Sequence, residues 1–407
     1  MKSEKFLRLL SAFVNDKKLD AKTEYDWENI YYLASIHNVL GMLYVCIKNN
    51  ELNVPTEILA KLQRDFLNTS AFAMKREAIV DNLSNILAKN NIENVFIKGY
   101  VVKDYYPVKE MRTMGDVDVL IREEDREKCH RVLVENGFEY DDFGSKKYVR
   151  NYVKKPILFE VHTKLISKNT VPNVNLKEYF VNPFNHLEET KGNTKFLNKE
   201  YHFIYLISHM VKHFVYGGFG VRMILDIPAF INHYKDTIDW KYIASEIDGL
   251  GLSYFTQVIF KICNLYFDVV IPEEIGTVKL SDDDIEAICE YMINGGVFGY
   301  VGRNNDAIRV SKHIRNTNVF AATAYRFLDF MQWLFPSYEY MSDKYDWFRG
   351  KPKVFLPLGW IYCIWYRMFK HKENSFSRIR LALQSGDDVK KHSEIEKLMG
   401  IGIKKGM

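Results

Sequence analysis

The chain has 407 residues, of which 47% are hydrophobic, 27% charged and 14% aromatic. Those proportions exclude a disordered, collagen-like or low-complexity polymer. Lys plus Arg number 56 against 52 Asp plus Glu, a formal charge of +4, too balanced for a protein whose whole surface grips nucleic acid.

At roughly 100–200 residues per domain, the length suggests two or three domains. The five cysteines, Cys46, Cys129, Cys263, Cys289 and Cys363, are scattered and form no CxxC pair. This argues against a disulfide framework or a cysteine-based zinc site and reads as buried thiols in a reducing cytoplasm. The start, Met1-Lys-Ser-Glu-Lys-Phe, has only a short apolar stretch at Phe6 to Val14 and lacks the usual signal-peptide pattern. No apolar run reaches the roughly 18 residues of a membrane span. The expected location is cytoplasmic, with no transmembrane segment.

Residues 1–90 read as helical. Phe6, Leu7, Leu9, Leu10, Phe13 and Val14 recur at helical spacing, and Asp26 to Ile47 follows with Ile30, Leu33, Ala34 and Val39. A long pattern from Pro55, a residue suited to a first helical turn, runs through Ile58, Leu62, Phe66, Ala73, Ile79, Leu83 and Ile86 to Asn90-Asn91.

The texture changes at residue 92. Val95-Phe96-Ile97 is a short apolar strand ending in Lys98-Gly99, and a short helix through Val101 to Tyr106 stops before Pro107. Asp116 to Ile121 alternates acidic and apolar residues as a strand with one buried face does. Glu123 to Asn136 reads as a helix closed by Gly137, and two further strands are predicted at Tyr148 to Val153 and Ile157 to His162. Helical signals return from Glu200: Tyr201 to Tyr216, ended by Gly217-Gly218, then Val221 to Tyr234, and later a helix capped by Ser281 and running through Met292. Gly217, Gly218 and Gly220 read as a helix–helix connection, since no strand precedes them and no P-loop pattern follows.

The predicted fold class is α+β: an α/β core with a mixed sheet, flanked by helical N-terminal and C-terminal regions. The expected divisions are a helical region at 1–91, the core at 92–165, a helical domain at 166–384 and a polar tail at 385–407.

The chemistry concentrates in the core. Residues i and i+2 of a strand face one side, so Asp116 and Asp118 project together with Val117 turned inward. Two adjacent carboxylates repel unless a cation lies between them, and such a pair suits a hard divalent ion such as Mg²⁺ that keeps phosphate oxygens as further ligands. Glu160, on the strand Leu158-Phe159-Glu160-Val161-His162, is the third candidate acid. Lys98-Gly99 stands at a strand-to-helix turn where a phosphate can approach the backbone, and Arg112 adds a fork matched to phosphate oxygens.

These residues resemble the nucleotidyltransferase superfamily that includes DNA polymerase β, and more closely the uncharacterised family called NTP transferase 5. The resemblance rests on Lys98-Gly99, Tyr106-Pro107, Arg112-Thr-Met-Gly115-Asp116-Val117-Asp118-Val119-Leu120 and Glu160-Val161-His162. His209-Met-Val-Lys-His213 and Arg222-Met-Ile-Leu-Asp226 extend it downstream. It runs from about residue 30 to 370, with its specific motifs between 98 and 226. The Gly-Ser common at the superfamily's phosphate turn is Lys-Gly here, which gives Lys98 more of the triphosphate contact.

The resemblance implies a metal-dependent enzyme moving a nucleoside monophosphate from an NTP, with ATP the default, to a small-molecule or protein acceptor. Asp116, Asp118 and Glu160 would be catalytic and hold two Mg²⁺ or Mn²⁺ ions. Lys98, Gly99, Arg112, Gly115, His162, His209 and His213 would contact the nucleotide. Two alternatives accompany it: a module that binds nucleotide without turnover, and a toxin–antitoxin-type enzyme modifying tRNA or other RNA.

The remaining features have plainer readings. His209 and His213 have i,i+4 spacing, but HExxH is absent and no third zinc ligand is in view. Arg222 and Asp226 fit an i,i+4 ion pair. Val354 to Tyr366 (VFLPLGWIYCIWY) lies in a stretch, 341–380, with nine Lys or Arg and three Asp or Glu. Packing into the core is the expectation for this helix, and an interfacial membrane helix is its alternative.

Overall fold

In a computed structural model, the described residues are 3–169, 171, 174–188, 195–299, 301, 331–332, 334–345, 347–369 and 386–401. Of the polar tail expected at 385–407, residues 386–401 are described and include a helix over Gly386–Leu398, and the rest lies outside them.

Four helices open the chain: α1 (Glu4–Val14), α2 (Trp27–His37), α3 (Leu40–Asn50) and α4 (Thr56–Lys89). The pattern predicted as continuous from Asp26 to Ile47 is broken at Asn38, which takes a left-handed conformation (φ 60°). Asn tolerates that conformation better than most residues. The break lets the N–H groups of Asn38 and Val39 return to Ser35 and Ala34 and close α2.

The core follows as β1 (Asn94–Ile97), α5 (Gly99–Val102), β2 (Asp116–Ile121), α6 (Arg126–Glu135), β3 (Glu139–Lys146), β4 (Val149–Lys154) and β5 (Ile157–His162). The strands form one mixed sheet in the order β1-β2-β5-β4-β3, with β2 and β5 parallel and the other pairs antiparallel. β3 was not predicted. Its sequence, EYDDFGSK, carries acids and a glycine that disfavour strands. It forms at the sheet edge because β4 supplies the hydrogen-bonding partner, with a register irregularity between Asp141 and Lys146.

The C-terminal part holds α7 (Leu176–Tyr179), α8 (Lys199–Tyr216), α9 (Val221–Tyr234), α10 (Trp240–Gly249), α11 (Ser253–Phe267) and α12 (Asp282–Asn294). The N-cap predicted at Ser281 is present, and Asp284 completes a capping box with it. The glycines after α8 do connect α8 to α9. Beyond lie α13 (Tyr338–Lys344), α14 (Leu356–Phe369) and α15 (Gly386–Leu398).

One hydrophobic core joins α1–α4, the sheet and α8–α12, with α1 packed on α11 and α9. A second, small cluster holds Met341, Tyr345, Phe348 and Cys363 around α13 and α14. All five cysteines are buried and free. No described helix is long and apolar enough to cross a membrane.

Candidate active site

The parallel pairing of β2 with β5 builds the site. Its register sets Asp118 opposite Glu160, Asp116 opposite Leu158 and Leu120 opposite His162, so the acids and the histidine share one face. The other face carries Val117, Val119, Phe159 and Val161, all buried in the core. The alternation read in the sequence therefore does orient the carboxylates. β1, on the other side of β2, ends with Ile97 paired to Asp118, which delivers Lys98 to the same place.

Asp118 is buried at 4% exposure. Its Oδ1 accepts from Lys98 Nζ in a very short contact and from His162 Nε2 at 2.8 Å. His162 also lies 3.4 Å from Glu160 Oε2. Burial alone would raise the Asp118 pKa, but the Lys98 ammonium and the His162 hydrogen bond hold it well below the ordinary carboxylate range. Burial acts against charge on Lys98 and His162, yet Asp118 pushes both upward, with Glu160 adding to the effect. Glu160 is lowered although burial opposes this, through His162 and Lys98. Asp116 behaves oppositely: burial and the neighbouring Asp118 charge lift it to about 6.

Lys98 adopts φ 54°, ψ −133°, a conformation that favours glycine. The left-handed residue of this turn is thus the lysine and not Gly99. Gly99 sits beneath Arg112, whose Nη1 would lie 3.4 Å from an added Cβ, and Gly115 opens onto free space at the start of β2.

Arg112 was expected at a triphosphate. It is buried, and its Nε and Nη2 instead make a bidentate pair with Asp226 at 2.8 and 2.6 Å, while Nη1 donates to the Thr113 carbonyl. Tyr106 donates to the same carboxylate at 2.7 Å. Asp226 is therefore the partner of Arg112, and the expected Arg222–Asp226 pair is corrected. Arg112 reaches across from the loop before β2 and takes both oxygens, a better geometry than an i,i+4 contact along α9. Arg222 binds Thr113 O and Oγ1 at 2.5 and 2.9 Å. Burial and the Arg112 charge lower it to about 10, and Asp116 is among the acids that counter them.

α8 walls the acid cluster. Tyr205 packs beside His209, and the His209 and His213 rings stand 4.3 Å apart. Lys212, on the same face by its i+3 spacing from His209, makes no hydrogen bond or ion pair among the described residues. Burial, Lys98 and Lys146 bring it down to about 8. Burial and Lys212 lower His213 to about 4, and burial and His213 lower His209. Lys212 and Lys146 did not emerge from the sequence. Lys212 was legible from its place between the two histidines, but Lys146 sits on the unpredicted β3.

The donor set suits a hard cation. Ligand atoms of Asp118, Glu160 and His162 lie within 4.8 Å of one another, and Asp116 projects from the same face with no hydrogen bond among the described residues. Oxygen-rich sets of this kind select Mg²⁺ or Mn²⁺ over softer metals. The His209–His213 pair belongs to no such group among the described residues.

The profile of a family described as uncharacterised nucleotidyltransferases matches residues 23–268. The chain belongs to this family. The match spans α2 to α11 and so contains the whole sheet and the α8 wall. It ends well before the expected limit near 370, leaving α13 and α14 outside. No curated protein and no solved structure matches the chain.

Proposed function

We propose that the protein transfers a nucleoside monophosphate from an NTP, with ATP the default donor, to a small-molecule or protein acceptor. The observation that supports this best is the β2–β5 register, which sets Asp118 opposite Glu160 beneath a cationic wall. Asp116, Asp118 and Glu160 would hold the divalent ions, and His162 orients Asp118 through its 2.8 Å hydrogen bond. Bound Mg²⁺ or Mn²⁺ supplies Lewis-acid polarisation of the phosphoryl oxygens.

In this reading the acceptor oxygen forms a bond to the α-phosphorus, and the bond from that phosphorus to the bridging oxygen of the β-phosphate breaks. The acceptor proton passes to Glu160 and pyrophosphate leaves. Lys98, released from Asp118, and Lys212 neutralise the departing phosphates, while Gly99, Gly115, His209 and His213 border the nucleotide. Arg112 positions the loop from behind. Arg222, half-buried on the Asp116 side, takes the phosphate-facing place first expected of Arg112. A cytoplasmic location accords with the five free, buried thiols.

Incubation with each α-labelled NTP, Mg²⁺ or Mn²⁺ and a cell extract tests this, beside an Asp116→Asn/Asp118→Asn variant. Label should pass to a metabolite or protein fraction only with the parent enzyme. Metal-dependent NTP binding without transfer would leave a binding module. Label on RNA would transfer the reading to an RNA-modifying enzyme, whose hint in the sequence is the basic surplus over 341–380.

A further inference from the structure

α14 buries only one of its faces. Cys363 packs into the small cluster with Met341, Tyr345 and Phe348, and Gly359 lets Met341 and Phe348 come close. Trp360 Nε1 donates to the Pro336 carbonyl at 2.8 Å. The helix thus packs into this small separate cluster and not, as expected, into the main core.

The opposite face is open. Val354, Leu358, Ile361 and Trp365 are 78%, 57%, 65% and 50% exposed. Steps of four, three and four residues align them in one stripe along α14 and the turn that leads into it. Phe355 and Trp347, at 39% and 38%, widen it. An apolar stripe of this size on a water-facing helix marks an interaction surface.

Charge decides the occupant. Lys351 and Lys353 border the start of the stripe. A second copy of the chain would set these basic flanks against each other, whereas an anionic lipid surface satisfies both the charge and the apolar stripe. Tryptophan also favours the headgroup boundary. The 14 residues of α14 extend about 21 Å, too short to span a bilayer of about 30 Å.

We infer that α14 lies in the plane of an anionic lipid layer, with Leu358 and Ile361 among the acyl chains and Trp365, Lys351 and Lys353 at the headgroup boundary. Apolar insertion and basic attraction act together, the combination that gives lasting yet reversible attachment.

Flotation of the full-length protein with phosphatidylcholine vesicles, with and without phosphatidylglycerol, tests this. The protein should float with the anionic vesicles, and added salt should weaken the association. Leu358→Glu/Ile361→Glu should lower the partition at least about tenfold, with circular dichroism unchanged because both positions are exposed. If that variant does not fold, Lys351→Glu/Lys353→Glu should still abolish the preference for anionic vesicles. Absence of flotation, or flotation indifferent to these substitutions, overturns the inference. So does a parent protein that is dimeric by light scattering and becomes monomeric with Leu358→Glu/Ile361→Glu, which assigns the stripe to self-association.

Discussion

Asp226 receives three donors, two from Arg112 and one from Tyr106. Removing a partner from a buried ion pair leaves an uncompensated charge, at a cost of about 3–5 kcal/mol. Asp226→Ala should lose stability of that order in urea unfolding, whereas Asp226→Asn, which still accepts one hydrogen bond, should lose less. Lys212 makes a different prediction. Its neighbours are Lys98 and Lys146 on the cationic side and Glu160 and Asp118 on the acidic side. With a pKa near 8 it is charged below that pH and neutral above. NTP affinity measured by titration should therefore fall as pH rises through about 8, by more than tenfold across the limb, and Lys212→Met should bind weakly with that limb flattened. An unchanged pH profile in the variant would remove Lys212 from the phosphate site.

Elements are joined at a few polar points, and His37 is one. At the end of α2, its Nε2 faces the Ile293 carbonyl of α12 at 2.8 Å and its Nδ1 accepts from Val221 N–H at the start of α9. Only the neutral ring with its proton on Nε2 meets both partners. Burial accordingly depresses the folded-state pKa to about 4, against 6.5 for the free residue. The unfolded chain thus binds more protons between those values, so the stability contributed by His37 is complete above pH 6.5 and is lost as pH falls toward 4. The loss should be on the order of 3 kcal/mol in chemical denaturation, and His37→Gln should flatten that part of the profile.

The same elements show what a sequence discloses. β2 was legible because it alternates acidic and apolar residues from Asp116 to Val119, which put the two aspartates on one face, and β5 because Glu160 stands among apolar residues in a short strand pattern. The α2–α3 break was hidden because Asn38 announces itself only through its backbone angle, and β3 because its formation depends on pairing with β4. Asp116, Asp118 and Glu160 were legible as a set. The commitment of Arg112 to Asp226 was not, since the two lie 114 positions apart and only the packing of α9 on the core brings them together.

At the scale of the molecule, the helical regions flanking the sheet share one core. α1 packs against α3, α9 and α11, and its Phe6, Leu7, Leu9, Leu10 and Phe13 are all buried. Removing residues 1–16 should therefore not leave an intact remainder. It should expose apolar surface on α11 and lower the thermal midpoint by more than 10 °C, on the order of 3 kcal/mol or more. In the full chain, sheet and flanking helices should melt in a single transition, and two separated calorimetric peaks within the region up to α12 would contradict a shared core.

The lysine clasped to Asp118 has a consequence for the order of events. A bare divalent ion arriving alone must evict an ammonium that has nowhere to go, and a bare triphosphate must approach carboxylates that repel it. In the proposed function, a metal–nucleotide chelate would bring both signs at once: Asp118 would be free to hold the cation while Lys98 turned to the phosphates. On that reading the two ligands would be coupled, each raising the affinity of the other by the same factor, and the Lys98–Asp118 pair would act as an electrostatic latch opened by the chelate and by neither component alone.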